Sequence, residues 1–196
     1  MTNILDRYLL YRIRLRQDPE AFAQLYDRYV SSIYRFVLLK LPAKEDAEDI
    51  TSETFLKCWR FLQEHGEVRE IRALLYRIAR NGIADWYRTR ALHPTRSLAV
   101  TFSDASESSL AEGGDDSHDM QVSDAGHGRV LIEARAELAL VMGKLERLKD
   151  DYRDVLTLRL IDGLAFDLIA EIMEKTTGHV RVLYHRAKKA LDALDE

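Results

Sequence analysis

Residues 97–128 read SLAVTFSDASESSLAEGGDDSHDMQVSDAGHG, and no other stretch limits more sharply what this chain can fold into. The stretch holds seven acids and no lysine or arginine. Ser, Asp and Gly dominate it, and no apolar period is sustained, so it cannot bury enough surface to offset its ordering entropy. A chain of 196 residues interrupted at that point cannot wrap one continuous core. The expectation is two small units, residues 1–96 and 129–196, joined by a flexible acidic linker.

The division also explains the charge. The net charge of −4 argues against a nucleic-acid partner only if it is spread evenly. It is not. Residues 1–96 carry 17 Lys/Arg against 13 Asp/Glu, the linker carries −7, and residues 129–196 carry 12 against 13. Within the last part, residues 175–190 hold Lys175, Arg181, Arg186, Lys188 and Lys189 and no acid. For binding nucleic acid, a local basic stripe outweighs the total.

Both units read as helical. The three prolines, Pro19, Pro42 and Pro94, leave long stretches uninterrupted. Asp18-Pro19 is a helix start, an acidic N-cap followed by a proline in the first turn. Phe22, Leu25, Tyr26, Tyr29, Val30, Ile33 and Val37 follow at helical spacing. A second helix starts near Lys44 or Glu45, with Ala47, Ile50, Phe55, Cys58, Trp59 and Leu62 as its apolar stripe. A third covers about residues 69–90, and a shorter leading helix covers residues 4–15. After the linker, residues 130–148 and 152–160 are helical patterns, the second closed by Gly163. A short helix over 166–173 and a last one begun by Thr176 or Thr177 complete an all-α chain with no strand-period run. The single cysteine, Cys58, excludes an internal disulfide and fits a reducing cytoplasm. No apolar run reaches the ~20 residues that span a bilayer, and no secretory signal is expected.

Three stretches carry chemistry. Helices 166–173 and 177–191, joined by about three residues, have helix-turn-helix spacing. The second helix would present Thr177, His179, Val180, Arg181 and Tyr184 to base edges, and Arg186, Lys188 and Lys189 to phosphates. In residues 69–90, arginines interleave with Tyr76, Trp86 and Tyr87; positive charge tracks a phosphate backbone and aromatic faces stack on unpaired bases. Asn81 can pair with an exposed base edge. Residues 44–62 place Asp46, Asp49, Glu53 and Lys57 on one helix face, which by itself reads as a solvated charge run.

Taken together, DPEAFAQLYDRYVSSIYRFVLLKL, DAEDITSETFLKCWRFL and LLYRIARNGIADWYRTR resemble domain two of the extracytoplasmic-function sigma factors of bacterial RNA polymerase. LKDDYRDVLTLRLIDGLAFDLIAEIMEKTTGHVRVLYHRAKKAL resembles their domain four. The resemblance covers about residues 18–90 and 130–191. It implies that Asp46, Asp49, Glu53 and Trp59 dock on the clamp helices of the polymerase's largest subunit, with the flap as a further contact. It implies that Arg77, Arg80, Asn81, Trp86, Arg88 and Arg90 face the opened −10 element, with residues 63–70 forming a base-capture loop. It implies that Thr177, His179, Arg181, Tyr184, Arg186 and Lys188 read the −35 element. Promoter DNA, core RNA polymerase and an anti-sigma factor are the partners it implies, with no membrane insertion and no cofactor. The chain departs from the family at Ala165 and Leu168, where a Ser and a Glu often form a capping box, at Lys149, where proline is frequent, and at Leu183, where a second basic residue is frequent.

Two other readings remain open at this stage. One is a stand-alone helix-turn-helix regulator that binds duplex DNA as a dimer; it would need a sensor or dimerisation module in residues 1–96. The other is an enzyme. His65, His93, His118, His127, His179 and His185 show no metal-ligand spacing, and no Gly-rich phosphate loop is present. No catalytic residue is assigned.

Overall fold

The computed structural model describes residues 4–65, 68–92 and 143–194. The expected linker and residues 129–142 lie outside the described residues. Among the described residues, every regular element is helical: α1 (Ile4–Arg16), α2 (Pro19–Leu38), α3 (Lys44–His65) and α4 (Ile71–Leu92) in the first unit, then a helical turn over residues 143–146, α5 (Asp150–Leu156), α6 (Phe166–Met173) and α7 (Thr177–Asp192) in the second.

The helix ends follow local chemistry. Asp18 accepts hydrogen bonds from the backbone N–H of Glu20 and Ala21 at 3.0 and 3.2 Å, and Pro19 opens α2. Thr176 caps α7 through the His179 N–H at 3.2 Å. Ala165 and Lys149 sit at the N-caps of α6 and α5 and make no side-chain cap bond. Such a missing cap costs about 1 kcal/mol. The expected helix over 152–160 starts earlier, at Asp150, and widens into a π turn at Thr157–Ile161. There the Asp162 N–H bonds Thr157 O at 3.1 Å, and Gly163 turns the chain at φ 65°. Only a residue without Cβ adopts that conformation freely.

Helices α2, α3 and α4 bury Leu25, Ile33, Phe36, Phe55, Leu62, Leu75 and Tyr76 against one another. Phe36 meets Tyr76 edge-on, with centroids 5.2 Å apart at 84°. Each large apolar side chain buried here contributes about 1.5–3 kcal/mol relative to exposure. Helix α1 closes one side of the bundle. Its buried Asp6 accepts from the Tyr29 hydroxyl at 2.6 Å, with Arg28 Nε 3.3 Å away. Burial, and then this bond, push the Tyr29 hydroxyl up to about 12. Cys58 lies fully buried within α3, and burial pushes its thiol to about 12. Cys58 is therefore expected to stay unmodified by a thiol-directed dye at pH 8 for as long as the chain is folded, and to react at once in denaturant. Fast labelling of the native protein would show that α3 opens locally.

The two units, which the sequence reads as separate, pack together. Helix α4 lies against α6, and the buried side chains of both units form one apolar cluster.

Candidate nucleic-acid interface

Helix α4 sends its six candidate −10 residues in three directions. Positions 77, 81 and 88 fall on one ridge, because spacings of four and seven residues return to the same side of a helix. Asn81 and Arg88 are exposed there, and Arg77 is half-buried. Arg88 is held by Asp85 one turn back at 3.0 Å. Trp86 and Arg90 turn instead toward α3. The Arg90 guanidinium sits 4.6 Å from the Trp86 ring centroid and 3.3 Å from Asp46. A cleft of about 610 Å³ opens between the two helices, lined in part by Asp46, Glu53, Trp86 and Arg90. Asp46, expected on a docking face, is thus tied to a residue expected to meet DNA.

Arg80 points the third way, into the second unit. Its Nε lies 2.7 Å from Asp154 and its Nη2 3.0 Å from Asp151, both on α5. Asp154 is also paired with Lys40 at the end of α2. Lys40 is almost wholly buried; burial first, then Arg80 and Arg153, lower its ammonium to about 7. Two further ion pairs cross between the units: Arg35 to Asp162 at 2.5 Å, and Arg77 to Glu174 at 3.9 Å. A cleft of about 280 Å³ remains beside them, with Lys40, Arg80, Asn81, Tyr87, Asp150 and Asp154 in its wall. Four cations of the first unit meet four carboxylates of the second. No local pattern marks this pairing, because its members are 71 to 127 residues apart along the chain.

Helix α7 is the second helix of the pair expected over residues 166–173 and 177–191. It follows α6 through Glu174, which adopts the left-handed conformation at φ 54°. Val180, Leu183 and Ala187 bury its inner face. His179, Arg181, Arg186 and Lys188 are exposed. Thr177 is partly withdrawn, its hydroxyl donating to Asp167 at 2.9 Å, and Tyr184 packs on Phe166 at 5.5 Å. The ridge opposite the core is made of Gly178, Val182, His185 and Lys189, spaced four, three and four apart. Val182, an exposed apolar side chain, was not among the expected readers. The signal was available: these are the positions half a turn from Val180, Leu183 and Ala187.

On α3, Asp49 and Glu53 are exposed, Glu53 pairing with Lys57 at 2.9 Å. Trp59 lies on a neighbouring face and packs on Phe22, with centroids 4.9 Å apart. An apolar groove of about 440 Å³ runs beside the acidic strip, floored by Phe22, Tyr26, Phe55 and Trp59 and rimmed by exposed Leu56. Of these groove residues, only Trp59 was expected to serve docking.

Residues 25–92 match the family model for sigma-70 region 2, and residues 138–191 match that for sigma-70 region 4. The RNA polymerase sigma-H factor of Pseudomonas aeruginosa is 30% identical over 98% of this chain and 94% of its own length. The chain belongs to the sigma-70 family. Its relatives include the ECF RNA polymerase sigma-E factor of Escherichia coli K12, 29% identical over 96% of this chain and 93% of its own. They also include the ECF RNA polymerase sigma factor BldN of Streptomyces coelicolor, 29% identical over 90% of this chain. The chain spans only 61% of that last protein's length. Among solved structures, CnrH in complex with the cytosolic domain of CnrY matches with a TM-score of 0.69 at 24% identity, over 97% of this chain and 96% of that one. The sigma factor RpoE of Bartonella quintana, in complex with the anti-sigma factor NepR, matches with a TM-score of 0.58 at 20% identity, over 88% and 95%. Both share the fold. In family terms, α2 from Leu25 onward, α3 and α4 form region 2, and α5 to α7 lie in region 4. Among the described residues, no helix is long and apolar enough to cross a membrane.

Proposed function

We propose that this sigma factor binds core RNA polymerase through α2 and α3 and directs it to promoters whose −10 and −35 elements are read by α4 and α7. The observation that carries this reading is the pair of outward ridges. Asn81 and Arg88 project from region 2, with Arg77 on the same ridge but paired with Glu174, and Arg181, Val182, His185, Arg186 and Lys189 project from the helix-turn-helix of region 4. Guanidinium and ammonium groups neutralise phosphates, an amide pairs with a base edge, and Val182 suits a thymine methyl. On α3, acidic Asp49 and Glu53 beside the apolar groove suit a helical partner with an apolar seam and basic flanks. The protein works as a binding subunit and not as an enzyme, in the cytoplasm where polymerase and promoter meet. An anti-sigma factor is a further partner, in line with the RpoE–NepR complex.

The closed packing belongs to this reading. With Arg80 held by Asp151 and Asp154, the carboxylates of α5 stand where DNA phosphates would stand. The two units must part before α4 can lie against an opened strand.

Run-off transcription from a genomic promoter library, with and without core polymerase, tests the proposal. Promoter-specific transcripts are expected only when both proteins are present. A specific shift of promoter DNA by the chain alone would favour the stand-alone regulator. Asp49→Arg combined with Glu53→Arg reverses charge at two exposed positions and leaves the buried stripe intact. Its capture of core polymerase is expected to fall at least tenfold, with an unchanged melting temperature. Undiminished capture would remove α3 from the docking surface.

A further inference from the structure

Helix α1 is apolar on two sides. Leu9 and Ile13 face the bundle. On the opposite side Ile4, Tyr8, Tyr11 and Leu15 are between 56% and 84% exposed. Their spacing of four, three and four residues confines them to an arc of about 60° at 3.6 residues per turn. A face that narrow is the seam of a coiled coil, with these four side chains at its a and d positions. The flanking g positions are Arg7 and Arg14, both exposed. The flanking e positions are Leu5, itself 45% exposed, and Arg12, which is bound to Asp18 at 2.6 Å. The only acid on α1 is Asp6, and it is buried against Tyr29. The outer surface of α1 therefore combines an apolar seam with flanking arginines, of which Arg12 is already paired with Asp18.

We propose that this seam docks one acidic amphipathic helix of another protein, with Leu- or Ile-type side chains entering between Tyr8 and Tyr11 and glutamates or aspartates meeting Arg7 and Arg14. Charge decides between occupants. A second copy of α1 would bring arginines onto arginines. A bilayer surface calls for a broad apolar face, not a narrow seam with two tyrosine hydroxyls in it. The seam uses none of the residues assigned above to polymerase or DNA, and α1 lies ahead of residue 25, where the region 2 match begins. Two heptads give a small contact, so a weak, reversible complex is expected.

The probe is a labelled 18-residue helical peptide with Leu at a and d and Glu at e and g, titrated into the full chain and followed by anisotropy. A twin peptide with Lys at e and g is the control. The Glu peptide is expected to bind at least tenfold more tightly than the Lys twin. Tyr8→Ser with Tyr11→Ser should weaken it at least tenfold without moving the thermal melt. Arg7→Glu with Arg14→Glu should reverse the preference between the twins. Equal binding of the twins, or binding indifferent to the tyrosine pair, overturns the proposal. So does any activity that the tyrosine variant abolishes on a different partner: self-association in sedimentation velocity, flotation with phosphatidylglycerol vesicles, or binding of oligo(dT).

Discussion

Asp154→Ala is expected to open the molecule and not to unfold it. Asp154 is almost completely buried and faces two cations of the other unit, Lys40 and Arg80. Removing one member of a buried ion pair typically costs about 3–5 kcal/mol, because the remaining charge stays out of water. Here the remaining charges have an escape. Lys40 and Arg80 belong to the first unit, so parting the units rehydrates both while the helices within each unit stay packed, at the loss of the apolar contact between α4 and α6. Small-angle scattering should show a larger radius of gyration for Asp154→Ala, and circular dichroism should show nearly unchanged helix content. The same variant frees Arg80, so affinity for a single-stranded −10 oligonucleotide should rise. Asp154→Asn, which keeps the shape and loses the charge, should move both readouts in the same direction by less. An unchanged radius together with a large loss of helix would show that Asp154 holds region 4 together internally and does not latch the two units.

The elements were legible because their signals are local. Asp18-Pro19, the Thr176 cap, Gly163 and the 3.6-residue stripes each depend on neighbours within a turn or two, and within the described residues the structure places helix ends and helices where they point. The absent cap at Ala165 was equally readable. The π turn at Thr157–Ile161 was not, since hydrophobic spacing in a five-residue window cannot separate it from an α-helix. The three directions taken by Arg77, Arg80 and Arg90 were also hidden. All three look alike in sequence, and their roles diverge only because Glu174, Asp151, Asp154 and Asp46 reach them from other helices. Burial on two sides of α4 disguises its outward ridge, whereas α7 has one buried face and its ridge follows directly. The apolar groove on α2 and α3 went unread for a further reason. Phe22, Tyr26, Phe55 and Leu56 fit a core stripe just as well, and only packing shows that Tyr26 and Leu56 remain exposed.

Promoter reading is expected to divide between α7 and α4, and two substitutions separate the parts. Arg181 is exposed near the start of α7, where a reading helix meets base edges. A base-edge arginine contributes about 1–3 kcal/mol, so Arg181→Ala should weaken duplex −35 binding by roughly tenfold to a hundredfold and relax the preference at one base pair. Asn81 is exposed on the ridge of α4, beside the cleft that separation of the units would widen. Under the proposed function its partner is a base that becomes available only once the duplex opens. Asn81→Ala should therefore leave closed-complex affinity nearly intact and slow or abolish formation of the open complex. Permanganate footprinting of holoenzyme on one promoter reads unpaired thymines directly. Arg181→Ala should lower the signal only through reduced occupancy, recoverable at higher protein concentration. Asn81→Ala should lower it at full occupancy. Normal melting by Asn81→Ala, together with normal melting by a variant of the 63–70 loop, would remove base capture from α4. That helix would then be a packing element whose exposed arginines are solvated.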